Sequence, residues 1–366
     1  MIRLTIPEIG DEEIAAVAAV LRSGYLVQGQ HVQAFEQRVA EAVGVRHAVA
    51  VSSGTAALHL ALRAAGIGPG DEVIVPDFTF PATANVVELV GARPALVDID
   101  LATFNVDVAQ IRPAITRRTR AIMPVHLFGQ PADMGPILAL AAEHGLLVIE
   151  DAACALGAEY HGRRCGGLGN AGCFSFHPRK TITTGEGGMV VTDDERLAGR
   201  VRQLRNHGMA RHGEAVRFVD AGFNYRLTDF QGALGAVQMG RLEEIIARRI
   251  YLAGLYHQAL ASLPGVTRPT AMDGTRHIWQ SYVILLDEGV ERAAVMRTLA
   301  EAGIETTIGT YAVSAQPHYA GKAGRLPNSL RAYERGLCLP LHTRMTEADI
   351  EEVARWLEKA MRHGGQ

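Results

Sequence analysis

From about residue 43 to residue 192 the chain alternates short apolar runs with longer stretches whose apolar positions recur at helical spacing. The runs at 47–51, 73–75, 95–98, 121–125 and 147–150 are largely apolar, with Val and Ile recurring, as in strands buried on both faces. Residues 55–65, 82–90, 108–115 and 134–144 lie between them and carry the period of amphipathic helices. Two further short runs, around Cys173 and at 188–192, bring the expected strands to roughly seven, an ordinary sheet size. This alternation predicts an α/β fold with a mostly parallel sheet covered by helices on both faces. Ligands on such sheets bind beyond the carboxyl ends of the strands, so chemistry is expected just after each run.

A long amphipathic pattern follows at 229–257, with Phe230, Leu234, Val237, Leu242, Ile245, Ile246 and Ile250 on one face, and predicts a single helix leading out of the large domain. After Pro264 a smaller α/β pattern begins, with strands expected at 280–286 and 304–307 and helices at 292–302 and 347–362. The expected division is a large domain with its N-terminal segment over 1–240, then a linker helix and small C-terminal domain over 241–366. Residues 309–324 combine Gly, Ala and Pro without a period and predict a mobile loop.

With 366 residues, 48% of them apolar, the chain can bury a large core. A formal charge of −3 with no dense block of Lys and Arg gives no electrostatic footprint for nucleic acid or an anionic membrane. Residues 117–120 come nearest and read as the solvated end of a helix. Residues 1–6 lack the pattern of a signal peptide and no apolar run is long enough to span a bilayer, so a cytoplasmic protein is expected. The cysteines, Cys154, Cys165, Cys173 and Cys338, form no C-x-x-C pair and have no histidines at ligand spacing. Free thiols and no metal site are expected.

Charge composition then singles out one residue. Of 36 basic residues only Lys180, Lys322 and Lys359 are lysines. Arginine cannot act as an amine nucleophile, whereas lysine forms Schiff bases with carbonyls, and Lys180 lies in the distinctive stretch 174–188 between two expected strands. An unremarkable lysine that was never replaced remains the alternative. Ser53-Gly54-Thr55 follows the first strand and opens a helix, where free N–H groups and the positive helix end favour phosphate, although the same residues could simply cap the helix. Gly66-Ile67-Gly68-Pro69-Gly70 follows a helix instead of a strand, the wrong polarity for a dinucleotide turn. Asp151 ends the 147–150 run among small residues and could keep a ring nitrogen protonated, as a pyridoxal cofactor needs, or could cap the next helix. Phe80, after the second strand, offers an aromatic face or a core side chain.

Phosphate turn, aromatic, strand-end Asp, Ser175 and Lys180 follow in that order. Together with Ser23-Gly24-Tyr25, Gly70-Asp71-Glu72-Val73-Ile74, Gly185-Glu186-Gly187-Gly188, the stretch 222–229 and Cys338-Leu339-Pro340-Leu341-His342, they make the chain resemble the DegT/DnrJ/StrS-type sugar-nucleotide aminotransferases over about residues 6–362. The resemblance implies a fold type I enzyme of the aspartate aminotransferase kind using pyridoxal 5'-phosphate. It implies that Lys180 bonds covalently to the cofactor, Asp151 pairs with the ring nitrogen, Phe80 stacks on the ring, and Ser53, Gly54, Thr55 and Ser175 hold the phosphate. Asn224 would reach the phosphate of a neighbouring subunit in a homodimer with shared sites, and Tyr25, Tyr225 and Arg226 would border the substrate. Tyr311, His318 and Tyr319 are further candidates for a sugar pocket. One departure stands out: the position that contacts the ring hydroxyl is commonly Gln or His in the family and is Cys154 here. The presence of Lys180 argues against the related dehydratases, which carry His.

The implied reaction transfers an amino group from L-glutamate to a nucleotide-linked keto-deoxy sugar, and the stretch 183–189 resembles members that act at C4. A 3-keto sugar or cyclitol (inosose) acceptor is the alternative within the family. Outside it stand a non-catalytic ligand-binding homologue and a pyridoxal lyase or desulfurase using Cys338 or Cys154 as nucleophile.

Overall fold

The computed structural model describes residues 1–213 and 215–363, so that 364–366, the end of the expected second domain, lie outside the described residues. The first part of the chain forms strands β1 (His47–Val51), β2 (Glu72–Pro76), β3 (Phe78–Thr79), β4 (Arg93–Val97), β5 (Thr119–Ile122), β6 (Leu147–Asp151), β7 (Glu159–Tyr160), β8 (Arg163–Arg164), β9 (Ala171–Ser175) and β10 (Gly188–Thr192). A hairpin of β11 (Met209–His212) and β12 (Ala215–Phe218) follows, then β13 (Val266–Thr267), β14 (Thr275–Arg276), β15 (Tyr282–Leu286), β16 (Thr307–Ile308), β17 (Tyr311–Ala312) and β18 (Gly336–Leu339). The helices are α1 (Asp11–Ser23), α2 (Gln30–Val43), α3 (Gly54–Ala64), α4 (Ala82–Leu89), α5 (Val108–Ala114), α6 (Met134–His144), α7 (Glu195–Leu204), α8 (Asp229–Gly240), α9 (Leu242–Ala259), α10 (Arg292–Glu301), α11 (Pro327–Arg335) and α12 (Glu347–His363).

Seven strands in the order β1-β10-β9-β6-β5-β2-β4 make the main sheet. Only β10 runs antiparallel to its neighbours β1 and β9; the other pairs are parallel. The interior positions of the sheet's central strands are apolar because both faces are covered: Val73 and Val75 pack into one core cluster and Ile74 into the other. A second, four-stranded antiparallel sheet, β13-β15-β18-β16, packs with α9, α10 and α12 around Tyr256, Ile284, Leu299 and Leu337.

The structure departs from the periodicity in three places. The single helix expected over 229–257 is two, because Arg241 leaves helical geometry (φ −109°, ψ 4°) while its guanidinium reaches Glu8 and Glu13. The expected strand at 304–307 instead begins pairing at Thr307, and Ile304 makes an isolated bridge to Ile2. The expected loop at 309–324 is seated. β17 pairs with β3, Ser314 N–H donates to Asp77 Oδ1 at 2.6 Å, and the buried Tyr319 hydroxyl donates to Asn85 at 2.7 Å. Its backbone groups find partners on the large domain, which a local pattern cannot display.

Among the described residues no helix is long and apolar enough to cross a membrane.

Candidate active site

Three strand ends converge on one cleft. At the end of β1 the chain turns into α3, whose first residues are Gly54 and Thr55. Ser53 is the cap: its hydroxyl accepts from Ala56 N–H at 3.1 Å, one of the two roles left open for it by the sequence. Thr55, beside the helix start, is exposed. A side chain on Gly54 would press its Cβ to 2.7 Å from that of Ser175, so the turn lies directly against the end of β9. A Cβ on Gly188 would come within 2.2 Å of Ser53 O, which is backbone and cannot swing aside. Gly188→Ala is therefore expected to displace the 53–55 turn, weakening cofactor binding about ten-fold and costing roughly 1–3 kcal/mol of stability; a cofactor titration and a thermal melt check both.

β6 ends at Asp151, whose side chain is 5% exposed. Thr83 Oγ1 lies 2.8 Å from its Oδ2, and Ala153 N–H donates to Oδ1 at 3.2 Å. Burial pushes the carboxyl above the ordinary range, while the Thr83 hydroxyl, the Ala153 amide and the Lys180 ammonium pull against it. The preceding Glu150 faces the other way, where the amides of Gly166, Leu168 and Gly169 and the His126 ring surround its carboxylate at 2.7–2.8 Å. That cradle fixes the β6 terminus from which Asp151 projects.

After β9 the backbone turns at Lys180, whose N–H donates to His177 O at 2.8 Å, and the half-buried side chain directs Nζ to Cys154 Sγ at 3.1 Å. The thiol at the departure position thus meets the lysine amine. Phe80, 62% exposed, sets its ring edge-on to Tyr311 with centroids 6.3 Å apart.

Other residues singled out by sequence have protein partners of their own, and Tyr225 O accepts from Ser52 N–H at 2.9 Å, beside the 53–55 turn. Arg226 binds Asn206 Oδ1 at 2.5 Å, and Tyr225 stacks on Phe223 with centroids 4.8 Å apart, both rings packing on His59. This pair flanks Asn224, which is exposed. Tyr25 is exposed as well, 81%. His318 pairs with Glu88, beside Lys322, on the outside of α4. Cys338 is fully buried, and burial pushes its thiol up to about 12, leaving it inert. Among the described residues no group of three or more His, Cys, Asp and Glu could hold a metal ion. Sequence reasoning missed Thr83 and Glu150. Glu150 carried a signal, a charge inside an otherwise buried strand, whereas a threonine at a helix start carries none.

The residues present fit pyridoxal phosphate. An amine, a buried carboxylate whose two oxygens each have one protein donor and lone pairs to spare, an exposed aromatic ring and a helix start too tight for any Cβ at position 54 occupy one cleft. Two relatives match across most of the chain. The spore coat polysaccharide biosynthesis protein SpsC of Bacillus subtilis is 43% identical over 95% of this chain and 94% of its own. The GDP-perosamine synthase of Caulobacter vibrioides is 46% identical over 91% of each. Among solved structures, DesV of S. venezuelae in complex with a ketimine intermediate superposes with a TM-score of 0.90 at 38% identity, covering 95% of this chain and 94% of that one. The model of the DegT/DnrJ/EryC1/StrS aminotransferase family, whose members are pyridoxal phosphate-dependent, matches residues 7–358. The chain belongs to the DegT/DnrJ/EryC1/StrS aminotransferase family.

Proposed function

We propose that this enzyme moves an amino group from L-glutamate to C4 of a nucleotide-linked keto-deoxy sugar, acting as a homodimer whose sites are completed by Asn224 of the second subunit. The observation that supports the reading is that Asp151 ends β6 and Lys180 follows its neighbour β9, with the amine 3.1 Å from Cys154 in the turn after Asp151. The sugar-nucleotide acceptor is supported by the likeness to a GDP-perosamine synthase. The C4 position is supported by the stretch 183–189. The homodimer is supported by the exposure of Asn224, held out on the Phe223–Tyr225 stack.

Pyridoxal phosphate, when bound, supplies an aldehyde that amines attack and a ring that accepts the electron pair left behind when a Cα proton departs. Asp151 would hold the proton on the ring nitrogen and so keep the ring electron-poor. The Lys180 amine would take the proton from Cα of glutamate; water would supply the keto oxygen of 2-oxoglutarate, and the amino group would stay behind with the cofactor. With the keto sugar in place, Lys180 would deliver a proton to the sugar carbon, the sugar's keto oxygen would leave as water, and the amino sugar would depart. Cys154 Sγ accepts a hydrogen bond from Nζ and holds the amine within the site whenever it is free. Thr55 and Ser175, with the first amides of α3, would hold the phosphate.

The test begins with the yellow holoenzyme, which L-glutamate is expected to bleach. Nucleotide-linked 4-keto-deoxy sugars should then restore the colour with release of an amino sugar. Restoration only by 3-keto sugars or by an inosose would replace the acceptor assignment. Sulfide or cleavage products, with no acceptor restoring the colour, would replace transamination itself.

A further inference from the structure

We propose that Thr83 is a positioning residue of this reaction: its hydroxyl, supported by that of Thr79, holds the Asp151 carboxylate in the orientation and charge state that the cofactor ring requires. Through the pairing of β3 with β17, it links that state to the seating of the C-terminal segment. The proposal rests on the reading that Asp151 faces the ring nitrogen.

Thr79 and Thr83 are both buried, at 1% and 0% exposure. Thr83 Oγ1 has three oxygens in reach: Asp151 Oδ2 at 2.8 Å, Thr79 Oγ1 at 3.0 Å and Phe80 O at 3.1 Å. A hydroxyl has one proton to give, and an ionised carboxylate can only accept. The ionised carboxylate is a stronger acceptor than the carbonyl of Phe80, which already receives Thr83 N–H at 3.1 Å, so the Thr83 proton goes to Asp151 and the Thr79 proton to Thr83. The result is a directed chain, Thr79 to Thr83 to Asp151, in a dry site where each donor polarises the next.

Its need follows from burial. Desolvation favours the neutral acid, and a neutral carboxyl cannot balance a protonated ring nitrogen. Ala153 N–H supplies one oxygen and the Thr83 hydroxyl the other, so without Thr83 the oxygen Oδ2 loses its protein donor.

The chain also has a mechanical root. Thr79 pairs with Tyr311 and Phe78 with Ala312, in the segment that follows the small sheet's β16. The Tyr311 ring meets the edge of Phe80, which lies between Thr79 and Thr83 in sequence. One corner of chain therefore presents an aromatic ring to the cofactor's face and a hydroxyl to the carboxylate at its edge, and β17 braces that corner.

The experiment is a spectrophotometric pH titration of holoenzyme, following the visible band of the lysine-bound cofactor, for Thr83→Val, Thr83→Ser, Thr79→Val and Asp151→Asn. A protonated ring repels a proton on the cofactor–lysine nitrogen, so weakening Asp151 should raise the midpoint. Thr83→Val is expected to raise it by about one pH unit and lower kcat about ten-fold, with the KM for glutamate little changed. Thr83→Ser should restore both values, and Thr79→Val should show a smaller shift of the same sign. If Asp151→Asn moves the midpoint and Thr83→Val does not, Thr83 has no positioning role, while the reading of Asp151 stands. If neither moves it, the reading of Asp151 falls as well. Should Thr83→Val not accumulate as folded holoenzyme, Thr79→Val tests the same chain from its outer end, and an unmoved midpoint there overturns the proposal.

Discussion

Lys180→Ala is expected to yield a folded protein that can take up pyridoxal phosphate but shows no lysine-bound visible band and no turnover. The side chain is half-buried and its amine makes one hydrogen bond, to Cys154, so truncation should change the melting temperature by only a few degrees. The rate loss should reach at least about 10⁴-fold, because one amine both tethers the cofactor and moves the proton, and a positioned acid–base group alone is worth about 10²–10⁴. Borohydride reduction followed by peptide mapping should find cofactor mass on the 174–188 peptide of the unaltered enzyme and none on that of the variant. Normal activity in the variant, or a label on a different peptide, would remove Lys180 from the mechanism.

Asp151→Asn should be the second most damaging change and should separate binding from chemistry. The amide matches the carboxylate in shape and can still engage Thr83 and Ala153, so the fold and much of the cofactor affinity are expected to survive. What disappears is the negative charge. An amide cannot balance a protonated ring nitrogen, so the ring loses its pull on electrons as the Cα proton leaves, and kcat should fall about 10²–10³-fold, as for loss of other buried electrostatic stabilisers. Stopped-flow bleaching by glutamate measures this half-reaction alone. An unchanged bleaching rate would show that the carboxylate has another purpose.

The two changes fall on residues whose positions were legible for different reasons. Asp151 could be found because it closes the strand 147–151, where an acid followed by small residues marks the strand's exit toward a ligand. Lys180 was found through composition: in a chain that uses arginine for its other charges, a lysine after a strand stands out. The 53–55 turn carried two readings, and the structure shows Ser53 capping α3, while Thr55 stays exposed at the helix start. Tyr225, Arg226 and His318 were drawn from motif and loop position alone, and in the folded chain each has protein partners: Phe223 and His59, Asn206, and Glu88. A polar or aromatic residue near a motif has many neighbours available to it, and local spacing does not choose among them.

The sequence by itself determined the α/β class and the mostly parallel core, since hydrophobic period is a local property; it pointed to the family by the resemblance of its motifs, and it singled out Lys180 as the candidate reactive amine. Only the tertiary structure decided that Cys154 meets the amine, that Thr83 meets Asp151, and that the 309–324 segment is braced on β3 instead of free. Those contacts join residues 26 and 68 positions apart, or in the last case strands from opposite ends of the chain. Side-chain hydrogen bonds form between whichever donors and acceptors close packing brings within about 3 Å, and that choice is made by the assembled layers, after every local preference has been met.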